Sequence, residues 1–201
     1  LKHLIVALHV LLFCAGSSVA ASATTLASFT GTNSSTAADN YMGMEFTVGP
    51  SGNFNDIVFD FLSSGTTPYA MGTGFLFTTP YIGDPNDLSS SDAGFLGSTV
   101  ASGGYYTFAP DLVLTGGTTY YFYSNYLTPQ GFSAGVPSTP SYIYATSATT
   151  DFITQPGAAV DFSVMGAATP EPSPLLLLAT GVVALFGFRK SLSVQSKQLA
   201  A

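Results

Sequence analysis

Between residues 24 and 168 the chain carries no lysine, arginine, histidine, cysteine or tryptophan. Its charged groups there are all acidic: Asp39, Glu45, Asp56, Asp60, Asp84, Asp87, Asp92, Asp111, Asp151 and Asp161. Such a segment forms no internal salt bridge and no disulfide, so its stability must come from apolar burial. A body of about 145 residues buries roughly two-thirds of its unfolded surface, which is sufficient for one unstapled core.

The same inventory excludes much chemistry. Ser-His-Asp, Cys-His and Ser-Lys nucleophilic systems lack their base. Zinc sites built on His or Cys cannot form. Phosphoryl transfer has no Lys or Arg clamp, and nucleic acid has no cation to neutralise its phosphates. Only paired-carboxylate glycoside hydrolysis survives, without a tryptophan platform. The expectation is a non-enzymatic protein with no nucleic-acid partner.

The residues between the termini read as β. Tyr, Phe, Thr, Val, Gly and Ser are abundant, and no long stripe of period 3.6 occurs. Met44–Val48 alternates and stops at Gly49-Pro50. Ile57, Phe59 and Phe61 share one face of a strand; Asp56, Val58 and Asp60 share the other, most simply as solubilising charges. Gly74–Phe77, Phe95–Val100, Tyr105–Phe108, Tyr142–Ala145 and Val160–Val164 are further strands. Val113-Leu114, Gly116-Gly117 and Thr118–Tyr126 give the strongest hairpin signal, because a glycine pair supplies positive φ for a tight turn. Ser133–Pro140 reads as a loop. Short strands about ten residues apart predict an all-β fold, an antiparallel β-sandwich of jelly-roll-like type. The predicted core is Phe46, Ile57, Phe59, Phe61, Phe75, Phe77, Leu96, Phe108, Leu114, Tyr120, Phe122, Phe162 and Val164.

The two ends have a different character. Lys2 precedes the apolar run Leu4–Phe13, and small residues follow, so Ala20 and Ala23 both fit an A-x-A-like cleavage site for signal peptidase. Cys14 falls inside this segment as a small apolar residue. At the other end, Pro170-Glu171-Pro172-Ser173-Pro174 precedes Leu175–Phe188 and the basic pair Arg189-Lys190. Alternating prolines favour an extended, polyproline-like segment that a protease can reach. The apolar run is 14 residues long. As a helix it spans ~21 Å against a hydrocarbon core of ~30 Å, which suits a transient transmembrane anchor. With Lys2 before the first apolar segment and Arg189, Lys190 and Lys197 after the second, the positive-inside tendency puts residues 24–168 outside the cytoplasm. The organisation expected is a signal peptide at 1–23, a β-sandwich at 24–168 and a sorting segment at 169–201.

The terminal pattern resembles the PEP-CTERM sorting domain of exported bacterial proteins. The resemblance rests on Pro170, Glu171, Pro172, Ser173, Leu175–Leu178, the Gly181 and Gly187 interruptions and the basic stop Arg189-Lys190. It implies that a membrane-embedded exosortase processes the chain near the motif. It also implies a membrane-anchored intermediate, then release to the cell surface or extracellular matrix.

Two binding sites are candidates within the body. Gly83–Asp92 is the densest acidic loop, and Asp84, Asp87 and Asp92 could gather around Ca²⁺; the simpler reading is a solvated turn whose Asp and Asn side chains cap their own backbone. Tyr120 and Phe122 point to one side of their strand and Tyr121 and Tyr123 to the other. If that second face is open, Tyr121 and Tyr123 form a glycan platform for extracellular polysaccharide; otherwise they pack as cross-strand pairs. No other cofactor is expected. The chain thus reads as a surface-sorted protein without catalysis, or as a carbohydrate-binding or adhesive module, with or without calcium.

Overall fold

The structure, a computed structural model, describes residues 22–30, 34–36, 40–63, 67–68, 70–128, 131–134, 141–155 and 157–169. They belong to one compact unit, Ser22–Thr169. Among the described residues there are fifteen strands and no helix. In chain order these are β1 (Ala23–Phe29), β2 (Ser34–Thr36), β3 (Asn40–Thr47), β4 (Asn53–Ser63) and β5 (Thr67–Pro68). Then come β6 (Thr73–Phe77), β7 (Phe95–Val100), β8 (Tyr105–Thr107), β9 (Leu114–Thr115) and β10 (Thr119–Thr128). The last are β11 (Gly131–Ala134), β12 (Ser141–Ala145), β13 (Ile153–Gln155), β14 (Ala158–Val160) and β15 (Phe162–Ala168).

All pairings are antiparallel. One sheet runs β1-β15-β4, with β8 and β9 on the far edge of β4 and β5 at its end. The second runs β13-β12-β3-β10-β6-β7, and a small third sheet joins β14, β11 and β2.

Alternation explains how the two large sheets meet. On β4, Ile57, Phe59 and Phe61 are buried on one side; on β10, Tyr120 and Phe122 are. These faces share one core with Leu26, Met42, Met44, Phe46, Phe162 and Val164. Phe59 stacks on Phe122 with ring centroids 4.9 Å apart, and Phe46 meets Phe59 edge-on at 5.4 Å. Such aromatic geometries add to the burial of their area. Twelve of the thirteen predicted core residues are buried; Leu96 is 38% exposed. A one-residue register shift between β6 and β7 at this point puts Phe95 opposite Phe77 and turns Leu96 to solvent.

The expected hairpin at Gly116-Gly117 is a corner instead. β9 pairs with Asn53 and Phe54 of β4 in the first sheet, whereas β10 pairs with β3 and β6 in the second. Gly117 does take the positive φ the turn needs, at 74°, but the chain crosses between sheets there. The two strands flanking Gly103-Gly104 part in the same way, β7 into the second sheet and β8 into the first. Two further expectations need correction: Ser133 and Ala134 lie in β11 rather than a loop, and Val160 is separated from β15 by the buried Asp161. Ala23–Phe29, outside the strands expected from the sequence, forms β1.

Candidate functional site

The outward face of the second sheet is half covered. The segment after β6 folds back over it, so Tyr81 and Leu88, with Phe152 from the loop before β13, roof a second cluster of Phe75, Phe77, Tyr123, Ile143 and Ala145. Backbone bonds hold the roof: Phe152 N–H donates to the Gly83 carbonyl at 3.0 Å and Asn86 N–H to the Ala148 carbonyl at 3.2 Å.

Tyr123 therefore does not form a platform. It is 1% exposed, its ring meets Phe152 at 4.9 Å, and its hydroxyl accepts from Tyr81 N–H at 3.0 Å. Burial pushes its phenol up to about 12, partly offset by that hydrogen bond. Tyr121, two residues earlier on the same face, stays half exposed and packs only against the cluster's margin. In the cross-strand register it lies beside Glu45 of β3, and Glu45 lies beside Ser141 of β12. Desolvation raises the Tyr121 phenol and the Glu45 carboxylate raises it further. In the next row, Thr47 and Thr119 join hydroxyls at 2.9 Å. Glu45 was legible only as one of ten carboxylates, because its place beside Tyr121 depends on pairing between strands 76 positions apart.

The acidic loop resolves into local caps. Asp84 Oδ1 accepts from Asn86 N–H at 3.0 Å and Asp87 N–H at 3.2 Å. Asp92 Oδ2 accepts from Ser89 N–H at 2.8 Å. These are the self-capping turns that Asp favours. Asp87 is exposed. Among the described residues no three acidic, His or Cys groups come together as a metal site, so Asp84, Asp87 and Asp92 do not converge. The phenol of Tyr81, whose hydroxyl donates to the Asp84 carbonyl at 3.0 Å, is raised to about 12 by burial first and then by the charges of Asp92, Asp87, Asp84 and Asp151.

Inside the first core, Tyr106 carries a buried polar node. Its hydroxyl donates to the Met71 carbonyl, accepts from Met71 N–H at 3.2 Å and sits 3.1 Å from the Ser124 hydroxyl. This node ties β8 to β10. On the outward face of the first sheet, Asp60 differs from a simple solubilising charge. Its Oδ1 is buried without a hydrogen-bond partner, and desolvation raises its carboxyl.

Of the terminal signals, only Ala23 is described: it is exposed, opens β1 and pairs with Ala167 of β15. Ala20, Pro170, Glu171, Pro172, Ser173, Arg189 and Lys190 lie outside the described residues, as does the expected C-terminal helix. The body ends where that segment begins: Thr169 donates both its N–H (2.8 Å) and its hydroxyl (3.1 Å) to the Asn53 carbonyl. Compared with known proteins, the chain matches no family model, and no curated protein or solved structure is similar to it.

Proposed function

We propose that this chain is an exported, non-enzymatic β-sandwich protein of jelly-roll-like type, sorted to the cell surface or extracellular matrix. Signal peptidase processes its front and an exosortase-like enzyme its end, near Pro170–Pro172; the protein is their substrate. One observation carries this reading. A body without basic residues, all-β in its described residues, lies between two terminal segments, each an apolar run with basic residues on its outer side, that together hold every lysine and arginine of the chain. That charge arrangement is what transfer of the body across a membrane favours. The supporting geometry is that the compact unit Ser22–Thr169 matches the span 24–168 between the two signals to within two residues at each end.

Mass spectrometry of the protein from its producing cells tests it. A mature species lacking the first 20 to 23 residues and shortened near Pro170–Pro172 is the expected result. A cytosolic product, or one intact through Ala201, overturns it. A second reading, a carbohydrate-binding module, is favoured by Tyr121, which stays half exposed beside a carboxylate on an otherwise roofed aromatic face.

A further inference from the structure

The roof over the second sheet stops short. It covers the row of Ile143, Gly43, Tyr123 and Phe75 and the Phe77 end of the next row, and leaves Ser141, Glu45 and Tyr121 of that row partly exposed, with Thr47 and Thr119 beyond them. The open part crosses three strands, about 10 Å at the usual strand spacing. Its floor combines one aromatic ring, one carboxylate and a pair of hydroxyls. Glu45 is the only acidic residue on any strand of this sheet, and residues 24–168 hold no cation to pair with it. A carboxylate without a cation is an acceptor that takes hydroxyl or ammonium donors.

We propose that Glu45 and Tyr121 form the contact site for a neutral polysaccharide, the C–H face of a sugar ring lying on Tyr121 and its hydroxyls donating to Glu45. This rests on the carbohydrate-binding reading and not on the sorting signals. Charge selects the class of ligand. A body with ten carboxylates and no base repels uronate or sulfate polymers at long range. A neutral polymer meets no such repulsion and supplies the donors that Glu45 lacks. Thr47 and Thr119 extend the site along the strands, since hydroxyls both donate and accept.

The test uses the full-length protein, purified in mild detergent, in affinity electrophoresis through gels cast with dextran, galactomannan, soluble cellulose derivatives without charge, or alginate. At least one neutral polymer should retard it and alginate should not. Glu45→Gln and Tyr121→Ala should each weaken retardation by about tenfold or more, the worth of a charge-assisted hydrogen bond or a ring contact. Ile82→Ser, at a residue 88% exposed on the roof, should leave it unchanged. Circular dichroism of each variant confirms that the β body is intact. Folded wild-type protein that no neutral polymer retards, retardation unaffected by both site variants, or equal retardation by alginate overturns the proposal. Failure of export would leave these readouts untouched, so the two readings fall separately.

Discussion

The ring of Tyr123 occupies the space where residue 43 would carry a side chain. The two residues are cross-strand partners, and a Cβ on Gly43 would sit 2.7 Å from Tyr123 Cδ1. The ring cannot retreat, because Phe77, Tyr81 and Phe152 pack around it. Gly43→Ala should therefore destabilise the protein by about 1–3 kcal/mol, the usual cost of overpacking. Urea titration measures it. In a Tyr123→Ala background the same substitution should cost almost nothing, and an additive double mutant would show that the ring contact is not the cause.

This contact also marks where the sequence stops being readable. The alternation at Ile57, Phe59 and Phe61 is local, so a strand with one buried face could be read directly. Whether Tyr121 and Tyr123 faced solvent depended on a roof drawn from Tyr81, Leu88 and Phe152, each at least 29 positions away from Tyr123 in the chain. The Gly116-Gly117 signal was legible as a turn. The sheet its second strand joins was not, because a turn's chemistry is the same whether the chain folds back or crosses over. β1 escaped notice because Ala23–Phe29 has only Leu26 buried and abuts a segment that reads as a leader. The acidic loop was legible as capping turns, and its oxygens are held by its own backbone.

Asp60 is a site of expected gain. Its buried Oδ1 has no partner, and desolvation raises its carboxyl above the ordinary value of 3.8. As pH rises, the unfolded chain loses this proton first and the folded protein later, so stability falls with pH across that interval. Asp60→Asn removes the titration. It should stabilise the protein by about 1 kcal/mol at pH 7, kept modest by the exposure of the rest of the residue. The gain should shrink below pH 4. Thermal melts at pH 3 and pH 7 measure both arms; a loss of stability at pH 7 would refute the account.

At alkaline pH the tyrosines take over. Tyr123 and Tyr142 are both raised to about 12, burial being the first cause in each. Below the unfolded phenol value of about 10 their contribution is complete. Between there and 12 the unfolded chain has shed protons that the folded protein keeps, so stability drops with rising pH. Two pH units correspond to roughly 3 kcal/mol for each group. Residues 24–168 hold no group that ordinarily titrates between carboxylates and phenols. Urea midpoints should therefore be level from pH 7 to 9 and fall steeply by pH 11. Tyr123→Phe should make that fall shallower; an unchanged slope would mean the phenol is already ionised in the folded protein.

The pairing of Ala23 with Ala167 bears on the front cleavage. Cleavage after Ala20 leaves β1 whole, with Ala21 and Ser22 as a short lead. Cleavage after Ala23 removes the first rung and puts a charged amino group on Thr24, opposite Gly166. One rung at a strand end is worth about 0.5–1.5 kcal/mol, the net contribution of a hydrogen bond. Otherwise identical proteins beginning at Ala21 and at Thr24 should differ by that amount in urea titration, the longer one being more stable. Equal stability would mean that the rung at Ala23 frays in solution and that β1 is held by the burial of Leu26 and by the Gly49 N–H bond to the Leu26 carbonyl at 2.8 Å.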